Sequence, residues 1–231
     1  MDLGLHIAAT GMVAQQVRQD QLANDLANAS TPGYKPDGSE QHSFGDVLLA
    51  NTEDGASIGS VDEGVSLGKT FVDSAPAPSE ETGEPLDFAI VGSGYFAVKT
   101  AQGVRYTRDG QFTASAKGIL TDASGNPVLS QRGAQIKVGA SGSVPAGSLG
   151  VFEVPGATKQ GENLYTGKAS GKAGGTVRQG ALEASGVDAA TAMVEMVTSL
   201  RNFQSGQQAI QSIAGTLQEA ASQVGSLNTS G

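Results

Sequence analysis

Two short motifs carry residue types that chemistry could use. Gly55-Ala56-Ser57-Ile58-Gly59 fits the G-x-S-x-G pattern of a serine nucleophile. That pattern works where a buried strand turns sharply into a helix and lifts the hydroxyl toward a histidine and an oxyanion hole. Here it lies in an acidic stretch, and the two histidines, His6 and His42, fall in a helical and a loop-like segment. A serine with no base in hydrogen-bond reach stays a weak nucleophile. Gly92-Ser93-Gly94-Tyr95-Phe96-Ala97 fits G-x-G-x-x-A and follows a strand-like run. Its dinucleotide use requires a helix to begin there, so that the helix N-terminus meets a pyrophosphate. The next residues, Tyr95-Phe96-Ala97-Val98, read as another strand, so the glycines are expected to form a hairpin turn.

Metal chemistry has little to work with. There is no cysteine, which excludes disulfides and thiolate ligands, and two histidines are few for a transition-metal site. Acidic pairs such as Glu80-Glu81 lack the spacing of a calcium loop. No catalytic, cofactor-binding or metal residue is assigned, no cofactor is expected, and a non-enzymatic role is expected.

The elements that would position any site fall into a simple order. Leu5, Ala8, Met12, Gln15, Gln19, Leu22 and Leu26 keep a 3-4 spacing beside a second stripe of Leu3, Ile7, Ala14 and Val17. This predicts an amphipathic N-terminal helix that ends at Thr31-Pro32-Gly33. Ala189, Met193, Met196, Leu200, Phe203, Gln207, Ile210, Ala214, Leu217, Ala221 and Val224 keep an alternating 4-3 spacing. Such a seam predicts a long C-terminal helix packed on another helix, capped by Asp188 and about 55 Å long at 1.5 Å per residue. From Ala189 to Leu227 its charges are only Glu195, Arg201 and Glu219. An uncharged polar face can be packed against neighbours without stranding a buried charge. Between the helices, Leu86 to Val91, Tyr95 to Val98, Val104 to Thr107, Gln111 to Thr113, Gly118 to Thr121 and Val128-Leu129 alternate with Gly- and Asn-containing turns. They predict a compact antiparallel β domain. The expected fold class is α+β, with the terminal helices pairing as a coiled coil around a central antiparallel β domain. The expected divisions are residues 1–35, 36–85, 86–180 and 181–231: N-terminal helix and turn, acidic loop region, β domain and C-terminal helix.

Composition narrows the partners. The chain of 231 residues has a net charge of −9 and no cluster of Lys or Arg, so nucleic acid and anionic membrane surfaces are poor partners. The acid is concentrated between Pro36 and Asp87, where twelve Asp and Glu face a single Lys69. This stretch is expected to be a solvated loop region. There is no apolar run long enough to span a bilayer, so no membrane insertion is expected. The start Met1-Asp2-Leu3, with no base before Arg18, differs from a charged n-region followed by an apolar core. Any export is expected to proceed without a classical cleaved signal.

The segment Leu22-Ala23-Asn24-Asp25-Leu26-Ala27-Asn28-Ala29-Ser30-Thr31-Pro32-Gly33-Tyr34-Lys35 closely resembles the N-terminal signature of the bacterial flagellar rod and hook proteins. Residues 86–98 resemble the strand-turn-strand segment of that family and residues 105–112 its following hairpin, and residues 161–171 and 177–197 resemble the entry to its C-terminal helix. The resemblance implies a structural subunit that polymerises helically through its terminal helices into a torque-transmitting rod. It places Leu5, Met12, Leu22, Asn24, Leu26, Asn28, Thr31, Gly33 and Tyr34 at the assembly interface, together with Met193, Met196, Leu200, Phe203, Ile210, Leu217 and Val224. The implied partners are copies of the chain, other rod and hook axial proteins, the flagellar type III export apparatus and the bushing rings around the rod. The implied location is the basal body within the cell envelope. At this length there is little room for the further outer domains of the larger hook subunits, and distal and proximal rod proteins both stay open. An axial paralogue near the hook junction, a secreted β-domain binding module with a closed helical hairpin, and a hydrolase using Ser57 are the alternatives.

Overall fold

A computed structural model describes residues 2–43, 47–50, 57–61, 65–139, 142–161 and 163–227. The chain divides into two compact units. One comprises residues 1–24, 39–70 and 190–231, and the other residues 25–38 and 71–189.

The first unit is built on two helices, α1 (Asp2–Ala27) and α2 (Ala189–Leu227), whose first and last turns reach the unit boundaries. They pack antiparallel. Gly4 meets Ile213, Met12 meets Gly206, and Gln15 and Arg18 bond to Ser199 and Glu195. Between them in sequence the chain forms four strands, β1 (Asp37–Ser43), β2 (Val47–Ala50), β3 (Ser57–Val61) and β4 (Val65–Val72). β1 pairs with β4 and β2 pairs with β3, one hairpin nested inside another, with a register shift at Leu49/Ala50. The acid content of this stretch suggests loop, yet short β-branched and apolar runs (Val47-Leu48-Leu49, Ser57-Ile58, Val65, Phe71-Val72) mark strands within it. Two-stranded ribbons tolerate acidic residues because both faces can stay wet.

The second unit is the antiparallel β domain. Its strands are β5 (Ser79–Glu81), β6 (Phe88–Val91), β7 (Tyr95–Thr100), β8 (Gly103–Thr107), β9 (Thr113–Ala114), β10 (Leu120–Thr121), β11 (Val128–Leu129), β12 (Val151–Glu153), β13 (Thr158–Lys159), β14 (Tyr165–Thr166), β15 (Gly171–Lys172), β16 (Thr176–Gln179) and β17 (Ala181–Glu183). The main sheet runs β13-β14-β8-β7-β12-β15, with β11 also on β7; β6 pairs with β16 and β5 with β17. β7 is central and apolar on both faces. Phe96 and Val98 enter a core with Phe88, Ile90, Phe112, Leu120, Val128, Leu149 and Val151. Tyr95 and Ala97 enter a second core with Tyr106, Leu129, Val154 and Tyr165. A strand buried on both faces reads as a continuous apolar run, and Tyr-Phe-Ala-Val is one.

Two expected hairpins are absent. Gly92-Ser93-Gly94 is a turn into a strand, but β6 and β7 join different sheets. Packing dictates the switch: Gly94 has φ +120°, and a Cβ there would lie 2.4 Å from Ala173 Cβ and 2.5 Å from Val151 Cγ1. Arg108-Asp109-Gly110 likewise does not fold β8 onto β9. It carries the chain past β6, with Phe88 N–H donating to the Gly110 carbonyl at 3.0 Å. A Cβ on Gly110 would lie 1.6 Å from the Phe88 carbonyl oxygen, so no other residue fits there. The turn at Ser124-Gly125-Asn126-Pro127 is present, closed by Asp122 N–H on the Asn126 carbonyl.

Tyr95 and Tyr165 pack at a tilt with centroids 5.2 Å apart, and burial raises both phenol pKa values. The neutral phenol is therefore the form the fold favours. Its contribution is complete below the unfolded pKa of about 10 and is lost as pH rises through the higher folded values. Stability should fall above about pH 10, and the tyrosinate absorbance of these two residues should appear only with unfolding. Chemical denaturation at stepped alkaline pH, read by tyrosinate absorbance and circular dichroism together, checks this. Ordinary titration of both phenols in the folded chain would contradict it.

Candidate assembly interface

The helix pair has a seam, and its register differs in part from the one the apolar spacing suggests. Apart from Glu195, the buried and half-buried positions described on α2 run Ala189, Ala192, Met196, Ser199, Phe203, Gly206, Ile210 and Ile213, a 3-4-3-4-3-4-3 series. One column of that series, Ala189, Met196, Phe203 and Ile210, was expected. The other is Ala192, Ser199, Gly206 and Ile213 in place of Met193, Leu200, Gln207 and Ala214. Small residues win this column because they let α1 approach. Gly206 sits against Met12, where a Cβ would be 2.8 Å from Met12 Cγ. Ser199 Oγ lies 2.9 Å from Gln15 Oε1, its hydroxyl donating. Arg18 Nη2 and Glu195 Oε2 make a half-exposed ion pair at 3.0 Å, worth under about 1 kcal/mol.

The displaced apolar side chains are left in solvent. Met193 is 53%, Val194 67%, Val197 51% and Leu200 45% exposed. Met193, Val197 and Leu200 follow i, i+4, i+7 spacing, so they line one stripe of α2. Leu217 on α2 and Leu5 and Val13 on α1 are exposed as well. Of the remaining interface candidates on α1 and α2, Met12 is half-buried, Leu22 is buried and Asn24 is exposed; Leu26 and Asn28 are half-buried. The side chain of Val224, in the last turn of α2, lies outside the described residues.

The Thr31 to Lys35 turn belongs to the second unit and is mostly interior. Thr31 is half-buried, and Gly33, Tyr34 and Lys35 are buried. Gly33 needs its φ of +65° and its lack of a side chain, since a Cβ would lie 2.3 Å from the Arg108 carbonyl oxygen. Its N–H donates to the Glu183 carbonyl at 2.8 Å. Asn163, the one non-glycine in the left-handed region among the described residues, donates from Nδ2 to the Pro32 carbonyl at 2.9 Å. Tyr34 Oη donates to Asp25 Oδ1 at 2.8 Å, and the Lys159 ammonium stands 4.2 Å from the Tyr34 ring centroid. Burial raises the Asp25 pKa, with the Tyr34 hydrogen bond opposing it; burial and Asp25 together raise that of Tyr34.

Beneath this turn sits a charge cluster that the sequence reading did not single out. Lys35 Nζ is 2.5 Å from Glu183 Oε1 and donates to the Ala75 carbonyl at 2.6 Å. Arg108 Nη1 is 3.0 Å from Glu183 Oε2, and Nη2 donates to the Gly92 carbonyl at 2.9 Å. The guanidinium also lies 5.3 Å from the Tyr95 ring centroid. All three side chains are at most 2% exposed. Removing one partner of such a buried group costs about 3–5 kcal/mol, because a charge is left uncompensated. The three residues lie in separate segments of the sequence, so no local pattern marks them as a group.

Among the described residues the arrangement offers no reactive constellation. Ser57 opens β3, while Gly55 and Ala56 lie outside the described residues. Its position at the start of a hairpin strand is unlike a strand-to-helix elbow. Among the described residues no three His, Cys, Asp or Glu are grouped to hold a metal ion, and no helix is long and apolar enough to cross a membrane.

Comparison with known proteins gives the same picture along nearly the whole chain. Residues 5–35 match the flagella basal body rod protein family, residues 89–153 the flagellar hook protein FlgE/F/G D1 domain, and residues 178–223 the flagellar basal body rod FlgEFG protein C-terminal family. The chain is 29% identical to the flagellar basal-body rod protein FlgF of Mesorhizobium japonicum, covering 98% of this chain and 99% of the relative. It is 28% identical to FlgF of Caulobacter vibrioides over 99% of this chain and all of that protein. It is 30% identical to the flagellar basal-body rod protein FlgG of Bacillus subtilis, covering 93% and 96% of the two chains. With the paired terminal helices and the antiparallel β domain between them, these matches show that the chain belongs to the flagellar basal-body rod protein family.

Proposed function

We propose that this chain is a structural subunit of the flagellar rod, polymerising helically through its terminal helices into the shaft that transmits torque. The observation that carries the reading is the apolar stripe Met193, Val197 and Leu200 left in solvent on a helix with almost no charge. A helix meant for solvent carries alternating charges, whereas exposed apolar stripes mark contact surfaces. The interface residues on this reading are Leu5, Met193, Leu200 and Leu217, which are exposed, together with Asn24 and Asn28. Met12, Met196, Phe203 and Ile210 back them from the intramolecular seam, and Gly33 and Tyr34 fix the turn from within. Copies of the chain and other rod and hook axial proteins are the direct partners. The type III export apparatus would deliver the chain to the basal body in the cell envelope without a cleaved signal, and the bushing rings would surround the assembled rod.

The helix register separates two kinds of substitution. Leu200→Asp, on the exposed stripe, should change monomer stability by under about 0.5 kcal/mol yet abolish incorporation into the rod and motility. Ile210→Asp, in the intramolecular seam, should lower the melting temperature of the monomer as well. Denaturation of the purified chain together with swimming assays of complemented cells checks both, and normal rods from the Leu200→Asp chain would overturn the reading. Ser57→Ala should leave assembly and swimming at wild-type levels. Loss of swimming from that one substitution would favour the hydrolase instead.

A further inference from the structure

The chain crosses the boundary of the β unit four times, at residues 24/25, 38/39, 70/71 and 189/190, each crossing being an exit from that unit when followed in one direction. Within the β unit, the segments next to three of these crossings meet at the Glu183 side chain, and the fourth, the last turn of α1, bonds to residues adjoining Lys35 and Glu183 in the chain. The last turn of α1 is held through Tyr34 Oη on Asp25 and through Ser185 Oγ, which donates to the Asn28 carbonyl at 3.0 Å. The segment before β1 is held by Lys35 on Glu183, and by the Pro36 carbonyl accepting Asp73 N–H at 3.0 Å. The segment after β4 is held by the Ala75 carbonyl on Lys35 and by Ala77 N–H donating to Glu183 Oε1 at 3.0 Å. The segment before α2 contains Glu183 itself, and Gly186 N–H donates to the Tyr34 carbonyl at 2.9 Å. Arg108 anchors the Glu183 carboxylate to the body of the β domain.

The geometry points to a single clamp keyed by Glu183, which ties the four exits into one cooperative unit so that none opens without the others. Two features make this more than a list of neighbours. One carboxylate accepts Lys35, Ala77 N–H and Arg108, so losing Glu183 releases three segments at once. The ion pairs are also buried, and partial opening strands a charge in a low-dielectric interior. Local opening is therefore all or none here, although peripheral segments usually fray independently. Force applied to any one exit would be divided among four connections and passed through Arg108 into the sheet.

Native-state hydrogen exchange on the full-length chain, resolved to single amides across a urea series below the unfolding transition, tests the clamp. The amides of Gly33, Asp73, Ala77, Ala184 and Gly186 are all hydrogen-bonded in this region. In the wild type they should merge onto one opening isotherm. In Glu183→Gln, all five should exchange at least tenfold faster, while the core amides of Phe88 and Leu120 stay unchanged. Lys35→Met keeps the Arg108–Glu183 pair balanced and is the milder variant, expected to move the same five amides together by a smaller factor. Five unrelated isotherms in the wild type would overturn the proposal whether or not Glu183→Gln folds. So would a response confined to Ala77, the one amide of the five bonded directly to the Glu183 carboxylate.

Discussion

A carboxylate with no access to water governs the architecture of the β unit. Glu183 takes Lys35 on one oxygen and Arg108 on the other. Ions in such a place are costly unless paired and hydrogen-bonded, and the surrounding backbone supplies partners from the Ala75 and Gly92 carbonyls and the Ala77 amide. Gly33 is pressed on the Arg108 carbonyl, Ala75 and Gly92 turn their carbonyls inward, and Tyr34 is buried over the cluster. Packing alone would accept many side chains here. Charge pairing accepts very few, and it joins residues that lie 148 positions apart in the chain.

The helical unit solves a different problem with different chemistry. Its two long helices pack through a column of small residues beside a column of large ones, and Ser199 and Gln15 supply a hydrogen bond where the helices are closest. Closeness to α1 is gained at the expense of apolar burial elsewhere, because the larger residues Met193 and Leu200 are turned outward. Gly206 and Gly215 weaken the isolated helix by about 1 kcal/mol each relative to Ala. Both features suit a helix that gains its remaining order from neighbours, as the proposed rod assembly requires.

Helices, antiparallel strands and α+β class were legible in the sequence because each has a period that amphipathic burial imposes. What periodicity misreads is informative. Apolar spacing points the α2 seam to the larger residues, yet one of its two observed columns contains Ala192, Ser199 and Gly206, which a hydropathy count undervalues. Strands β1 to β4 were hidden because the acid of residues 36–85 lies mostly between and beyond them, only Asp37 and Glu40 falling within the four strands. Lys35, Arg108 and Glu183 were missed for the opposite reason, since charge ordinarily signals the surface. Only the pairing of distant segments reveals them, and no local pattern encodes that. The signature turn was recognisable as a motif, but its inward-facing role depends on Arg108 and Glu183, far along the chain.

The nested hairpins carry a consequence of their own. Both stems, β1 and β4, adjoin segments fixed at Lys35, while β2 and β3 form the distal pair. Two residues added to each strand would lengthen such a ribbon by about 7 Å and keep every side chain on its original face. A one-residue change would invert the faces instead. Reach is thus a quantity that insertions can adjust in even steps without disturbing the point of attachment.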